Sequence, residues 1–596
     1  MSKPRKRWEI QPPAPPEIMA RFADLPPLVV QLLYNRQIRD SAEVEAFFSR
    51  GVAEDNPFLL KGMNEAVARL RQAIRAGEPI AVYGDYDVDG VTATALLVPT
   101  LHALGAQVLP YIPNRMEEGY GLNSPALELL ARQRVKLVVT VDCGVRSLAE
   151  AEFARGIGLD LIITDHHAVG DQLPDAVAVI DPRQADDTYP YKHLAGVGLA
   201  HKLGQALLRA ERQVPARARL PVAVPESSAL PQEEDWLDLV ALGTVADLAP
   251  LTCENRALVS LGLGKLREAC RPGVAAMLAE AGLRAQDVGA TAIAFVLGPR
   301  LNAAGRLDHA MASYRLLTTS AVDEAAALAE QLGTQNAERQ QRMHDMVDEA
   351  RRQVLAWGDD LIYVLASPSY SVGIAGLVAS RITEEFYRPT LVVALEEGQS
   401  KGSARSIEGL HITRALDECR HLLLQHGGHA AAAGFHIDSD KIDALRSQLR
   451  DIAARELSPD KLTPPLRIDM RLPLSQAGWE TLSLVEGLQP FGVGNPQPIF
   501  VSHSVQVRGH RWVGSDGTTL KLKVSDGRAV WDAVAFRQEG PTASIPPSID
   551  VVYALQASLW NNDRRLELLV KDWRPAADVE VPVVPPDLTA ELQTEV

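Results

Sequence analysis

The sequence predicts an α/β protein in which a mainly parallel, helix-covered sheet is joined by one long helix to a smaller α/β domain and then to a β-barrel. Three observations predict this. Five short apolar runs rich in β-branched residues, PIAVYGD, AQVLPYIP, KLVVTVD, LDLIITD and AVAVIDP, alternate with helical stretches between Pro79 and Arg183, as strands buried on both faces do. Val322 to Trp357 sets Ala, Leu and Met along one side of a charged stretch, the pattern of one long helix. Arg467 to Trp573 changes to two-residue alternation, with turn signals at Gly514–Gly517 and Asn561–Asp563, which suits a small barrel.

Each segment follows in order. Residues 1–78 are rich in Pro, Arg and Ala and are expected to form a helical cap segment. Residues 79–320 carry the parallel-sheet domain, interrupted from Arg212 to Asp235 by an aperiodic stretch read as a surface insertion. Residues 321–358 form the connecting helix, and a second α/β unit begins at LIYVLAS and occupies 359–458. The barrel takes 465–575, and the acidic, Pro-containing 576–596 reads as a flexible tail. A chain of 596 residues is too long for one core, and its 46% hydrophobic and 23% charged residues are ordinary for a soluble protein. No apolar stretch is long enough for a membrane span. Prolines occupy the place where a signal peptide would carry its apolar core, so a cytoplasmic location without membrane contact is expected. Four cysteines without a CxxC pair argue against both a zinc site and a disulfide framework. A net charge of −16 disfavours a nucleic-acid partner on its face, but a chain that gathers carboxylates around cations can be acidic and still carry a basic track.

Four segments carry the chemistry. They are Tyr83–Gly90 with Asp85, Asp87 and Asp89, Val141–Gly144 with Asp142, the run Asp165, His166, His167, and Gly243–Asp247. The first three directly follow expected strands, and the C-terminal ends of parallel strands converge on the edge where open sheets bind ligands. Carboxylates with imidazole and no thiolate suit magnesium or manganese. Alone, an Asp-x-Asp is ordinarily a turn or a helix cap. Four such segments together are how a metal centre is recognised.

YGDYDVDG, VDCG, DHH and GTVAD, in this order, resemble the four motifs of the DHH phosphoesterase superfamily. The resemblance implies a DHH catalytic domain with two divalent ions, manganese preferred and magnesium possible. Asp87 and Asp89 would each face a different ion, Asp142 would bridge them, and His166 and Asp247 would complete the ligand set. Asp85 would bind through water or shape the loop. His167 would act at the scissile phosphate, with Asp165 orienting a neighbouring histidine, so His167, Asp89 and Asp165 are the candidate catalytic residues. Gly90 would let the loop turn tightly into the following helix.

Further motifs narrow the resemblance to the RecJ-type nucleases. Asn114, Arg115 and Tyr120 lie in YIPNRMEEGYG, and Asn302 and Arg306 in PRLNAAGR; the family places both stretches along the substrate path. The second α/β unit is similar to the DHH-associated domain through GIAGLVASR, GSARS and GGHAAAAG, so Arg381, Ser403, Arg405 and His429 would clamp the DNA 5′ end. Ser371 stands where the family usually has histidine and could still donate a hydrogen bond. PFGVGNP matches the lead into an OB-fold DNA-binding domain, where Arg511, Trp512, Lys521 and Arg564 belong to a run of interleaved basic and aromatic residues suited to a single strand. The resemblance implies a monomeric 5′→3′ single-stranded-DNA exonuclease of repair and recombination, with single-strand-binding protein and a RecQ-type helicase as partners. The alternative is a DHH phosphodiesterase acting on short oligonucleotides or cyclic dinucleotides, against which the barrel counts.

Overall fold

A computed structural model of the chain describes residues 5–49, 56–115, 118, 119, 121–213, 220, 230–307, 309–514, 517–536, 538, 544–560 and 563–576. They fall into two compact units, one within 38–462 and 488–496, the other within 2–37, 463–487 and 497–596.

In the first unit all five apolar runs become parallel strands: β1 (Ile80–Gly84), β2 (Val108–Tyr111), β3 (Leu137–Val141), β4 (Asp160–Thr164) and β5 (Ala178–Ile180). Their order is β2-β1-β3-β4-β5. β1 and β3 are buried at every residue, which is why their sequences run apolar instead of alternating. Helix α1 (Val88–Ala103) follows β1 and is buried on nearly all sides. Helices α2 (Gly196–Gln213) and α3 (Leu237–Ala246) pack against it. Leu96, Leu97, Leu101, Leu199, Leu203 and Leu239 meet in this core, each fully buried and each contributing about 1.5–3 kcal/mol through burial.

Register fixes what lies at the sheet edge. Gly84 is opposite Val141, Val141 opposite Thr164, and Thr164 opposite Ile180. The next residue of each strand is an aspartate, so Asp85, Asp142, Asp165 and Asp181 form one row along the C-terminal edge.

Beyond α4 (Gly298–Leu307) the chain enters the long helix α5 (Val322–Trp357). Ala325, Leu328, Ala329 and Leu332 of α5 belong to the first core, whereas Met346, Val347, Ala350 and Val354 belong to the core of the second α/β lobe. That lobe has β6 (Tyr363–Ser367), α6 (Val372–Phe386), β7 (Thr390–Ala394), β8 (Gln399–Arg405), β9 (Leu423–Gly428) and β10 (Ala432–Asp438). Its sheet order is β9-β10-β8-β7-β6.

The second unit holds the barrel, built from β11 (Phe500–Val513), β12 (Thr519–Ser525), β13 (Val530–Ala535), β14 (Ser548–Trp560) and β15 (Asp563–Pro575). The order β11-β12-β13-β15-β14 closes into a five-stranded barrel through pairing of β14 with β11, and the short strand Met470–Arg471 adds to the start of β11. This is the OB-fold arrangement.

The expected helical segment over 1–78 is largely helical but divides between the two units. Arg7–Ile10 is a strand in parallel register with Pro465–Ile468, and Pro16–Arg21 and Pro27–Asn35 group with the barrel unit. The helices Ser41–Phe48 and Met63–Ala76 fall in the first unit, and Leu70 and Ile74 of the latter are buried in its core. Most of the expected surface insertion, the Asn561–Asn562 turn and the acidic tail lie outside the described residues.

Candidate active site

Asp87 is the N-cap of α1, its Oδ1 accepting from the backbone N–H of Asp89 at 2.9 Å and of Gly90 at 3.2 Å. Placing a carboxylate at this N-terminus uses up otherwise unpaired donors. It also turns Asp89, one residue into the helix, inward. Asp89 is fully buried, with Oδ2 accepting from Gly196 N–H at 2.6 Å and Oδ1 from Val197 N–H at 2.7 Å. The N-terminus of α2 therefore neutralises part of its charge. Gly196 permits this approach, since a Cβ there would stand 2.5 Å from the Cβ of Asp142. Gly90 acts differently from expectation. The helix already begins at Val88, and a Cβ at Gly90 would lie 2.5 Å from the backbone of Asp85. Close packing, not turning, is what requires glycine.

Asp142 leaves β3 with φ of +65°, the left-handed region that a residue with a side chain adopts only under constraint. Its Oδ1 comes within 3.0 Å of His166 Nε2, and the same nitrogen lies 3.8 Å from both Asp89 Oδ2 and Asp247 Oδ2. Asp247 caps the C-terminal end of α3. Three groups can each gather ligand atoms within 4.8 Å of one another: Asp85, Asp87 and Asp142; Asp89, His166 and Asp247; and Asp142, His166 and His167.

The residues fit divalent cations on a separate observation. Asp85 Oδ1, Asp142 Oδ1 and His166 Nε2 are buried and have no hydrogen-bond partner among the described residues, a costly state for polar atoms that a cation would relieve. The electrostatics agree. Burial, and then neighbouring carboxylates, push Asp85, Asp89 and Asp142 well above the usual carboxylate range. The same two causes raise Asp247 to about 7. Burial, with the field of His167, lowers His166 to about 3, which leaves it neutral with a lone pair for a ligand.

His167 behaves in the opposite way. Burial alone would lower it, but its Nδ1 lies 2.7 Å from Asp165 Oδ1, and that contact with the charges of Asp247 and Asp85 raises it to about 9. Asp165 is buried, yet it accepts from the backbone N–H of Val145, His166 and His167 as well as from the His167 ring, and these bonds hold it below the ordinary carboxylate range. The histidine that Asp165 orients is thus His167.

Arg115 and Asn302 share a cavity of about 300 Å³ with Asp85, Asp87, Asp247 and Gly305. The Arg115 guanidinium lies 5.0 Å from the Tyr86 ring centre, and the backbone N–H of Asn114 donates to Glu118 at 2.7 Å. Tyr120 lies outside the described residues, and so does the side chain of Arg306, whose backbone is in α4. In the second lobe Gly376 of α6 packs on Arg405 and Ser403: a Cβ there would lie 3.1 Å from Arg405 Nη2 and 3.6 Å from Ser403 Oγ. Ser371 is the exposed N-cap of α6, and Arg381 stands 3.8 Å from Glu384. His429 is exposed and its backbone N–H donates to Ala432.

On the barrel, Arg511 and Lys521 face each other across β11 and β12 and line a cavity of about 500 Å³ with His510, Lys523 and Arg565. Trp512, the next residue on β11, does not line it. Arg564 is also placed elsewhere: it pairs with Glu486 at 2.7 Å and lies over the Trp479 ring. Strand alternation gives the groove to its neighbour Arg565.

Sequence reasoning missed Asp181. It is fully buried in the row of strand-end aspartates, one oxygen holds the N–H of Arg183 at 2.7 Å, and the other has no partner among the described residues. Burial raises it to about 7. AVAVIDP sets an aspartate after its last strand residue, as PIAVYGD, KLVVTVD and LDLIITD do, but the Asp-Pro pair reads as a turn until register places it in the row.

Comparison with known proteins agrees with this geometry. The DHH family N-terminal domain matches residues 79–244, the DHHA1 domain 358–455 and the RecJ OB domain 468–572. The chain is 37% identical over 577 residues to the single-stranded-DNA-specific exonuclease RecJ of Bacillus subtilis, covering 95% of this chain and 71% of that protein. It is 36% identical over 574 residues to the enzyme of the same name from Escherichia coli, covering 93% and 96%. The crystal structure of RecJ in complex with Mn2+ from Thermus thermophilus superposes with a TM-score of 0.80 at 31% identity, covering 98% of this chain and 81% of that one.

Proposed function

The chain belongs to the RecJ family of single-stranded-DNA-specific exonucleases, and we propose on that premise that it removes mononucleotides from the 5′ end of single-stranded DNA with the help of two divalent ions. The observation that carries this reading is the pair of ligand groups that meet at the orphaned atoms of Asp142 and His166.

Asp85, Asp87 and Asp142 would hold one ion and Asp89, His166 and Asp247 the other, with manganese preferred and magnesium able to substitute. When bound, the ions supply charge neutralisation on the phosphate and a lowered pKa for water. The chain's own groups do the rest. Asp165 raises His167 and aims it, so His167 can hold the phosphate as charge builds and give its proton to the leaving oxygen. Arg115 and Asn302 orient the phosphate from the wall of the same cavity. Ser371, Arg381, Ser403, Arg405 and His429 receive the 5′-terminal phosphates. Arg511 and Lys521 attract the backbone on the barrel, with Trp512 as a base platform. The reading extends to a monomeric cytoplasmic enzyme of DNA repair and recombination that meets single-strand-binding protein and a RecQ-type helicase. Among the described residues no helix is long and apolar enough to cross a membrane.

The test uses a single-stranded oligonucleotide of a few dozen bases, labelled at either end, with manganese, beside a blunt duplex and an Asp142→Ala variant. Early release of the 5′ label as a mononucleotide, with the duplex spared and the variant inactive, is the expected result. Survival of long strands while di- and trinucleotides are cut would overturn it in favour of a short-substrate phosphodiesterase.

A further inference from the structure

The middle of α5 contains a buried charge that the fold does not balance. Arg339 is 8% exposed and Asn336 is 3% exposed. Nε and Nη2 of Arg339 both donate to the single amide oxygen Asn336 Oδ1, at 3.3 and 2.9 Å. Among the described residues no carboxylate opposes the guanidinium, and burial holds it below the usual arginine range. The other two buried arginines among the described residues are treated differently. Arg71 pairs with Glu211 at 2.6 Å, and Arg256 donates to the carbonyls of Phe47, Leu488, Gln489 and Pro490. A buried cation without a counter-charge is unfavourable, and here an apolar residue would continue the stripe of Leu332 and Met346.

Its position along α5 sets which parts of the fold it lies between. Leu332 is the last α5 residue of the first core and Met346 the first of the second. Arg339 is seven residues from each, about 10 Å along the helix. α5 packs on α4, whose Asn302 and Gly305 line the carboxylate cavity, and on α6, whose Gly376 abuts Arg405 and Ser403; α4 and α6 also touch each other. The seam between the two lobes is where a strand bound by both must pass.

We propose that Arg339, with its guanidinium held in orientation by Asn336, binds a backbone phosphate of the substrate strand at this seam. A guanidinium with N–H groups left over matches the paired oxygens of a phosphodiester better than an ammonium could, and a polyanion supplies the counter-charge only while it is bound. The inference rests on the single-strand reading given above.

The test is made in the full chain carrying Asp142→Ala, so that bound strands survive. Affinity for a 5′-phosphorylated single-stranded oligonucleotide is measured across a salt series. Arg339→Met is expected to weaken binding about tenfold or more and to lower the salt slope by about 0.7, one released counterion on a single strand, without lowering the thermal midpoint. Arg339→Lys is expected to keep the slope and recover part of the affinity, and it decides the matter if the methionine variant does not fold. Parental affinity and slope in both variants overturn the proposal and leave Arg339 a packing residue. Weaker competition by inorganic phosphate or a 5′-mononucleotide, with strand binding unchanged, also overturns it by making the ligand a product. Failure of the parent protein to bind any single strand would instead sink the functional reading itself.

Discussion

Removing metal should make the stability of the catalytic core fall as pH rises, and manganese should reverse the trend. Asp247 is raised from the ordinary 3.8 to about 7, so the folded state binds its proton more tightly than the unfolded chain does. The stability this gives is fully present below about pH 4 and is lost as pH climbs through about 7. Three units correspond to about 4 kcal/mol, and because the Asp247 side chain is 23% exposed, solvent screening reduces this to a few kcal/mol. Asp85, Asp89 and Asp142 are shifted in the same direction. The raised value of His167 adds stability present below about 6.5 and lost through about 9. The lowered His166 opposes the trend, since its cost to folding fades as pH rises through 6.5, but it is outweighed by Asp247 and His167, which both lose stability over the same interval. Cations held by the same carboxylates replace the protons and should add about 2.7 kcal/mol at a hundredfold excess over Kd. Calorimetry in chelator should therefore show the midpoint of the core dropping by several degrees between pH 6 and pH 8, with manganese raising it more at pH 8 than at pH 6. Asp247→Asn should flatten the chelated profile. A metal-free midpoint that is level or rises across this interval would refute the assignment of these groups to a cation site.

Three further outcomes follow, two from the active site and one from the barrel. His167→Ala should lower kcat by about 10²–10⁴-fold while manganese binding and strand affinity stay at parental levels; Asp165→Asn, which removes the carboxylate charge beside Nδ1, should move the alkaline limb of the rate profile from near 9 toward 6.5, read from kcat against pH. Arg511→Gln with Lys521→Gln should raise KM for long strands about tenfold and lower the salt slope of binding by about 1.4, with hydrolysis of dinucleotides unchanged, measured by steady-state kinetics on both substrates.

The parts of this fold legible in the sequence are those whose cause is local. Strands buried on both faces must be apolar throughout, so the runs at Ile80, Leu137 and Asp160 announce themselves, and with them the aspartates at their ends. Asp142, His166 and Asp247 are found because their residue types share one coordination chemistry. What was hidden depends on partners distant in sequence. Nothing near Asp89 says that its oxygens will receive the N–H groups of Gly196 and Val197, more than a hundred residues away. Asp181 reads as the start of an Asp-Pro turn until register places it beside Asp165. Arg7–Ile10 is four residues with no periodicity of its own, and only pairing with Pro465–Ile468 makes it a strand. Arg564 and Arg565 are equally basic, and a single residue of alternation gives the groove to one and the Glu486 pairing to the other.

The crowded sheet edge also separates its own carboxylates by role. Asp165 is satisfied by four N–H contacts, and Asp89 by two backbone donors at a helix N-terminus. Asp85 and Asp142 are just as buried but each keeps an oxygen without a protein donor, as His166 keeps a ring nitrogen. Desolvation acts on all of them alike, so the difference lies in hydrogen bonding and in the charges nearby, the His167 cation at Asp165 and other carboxylates at the rest. At Asp165, where four N–H contacts are supplied, the acid is charged without help and holds His167 in place; at Asp89 two backbone donors anchor the start of α2, yet burial and Asp247 still raise it. Where donors are withheld, only a proton or a cation completes the site, and at neutral pH the cation wins because the metal supplies two charges to a cluster of carboxylates. Asp89 stands on both sides of this division. It ties α2 to α1 through its two backbone contacts and still presents Oδ2 within 3.8 Å of His166. A cation held at Asp89 would therefore couple metal occupancy to the packing of α2 on α1.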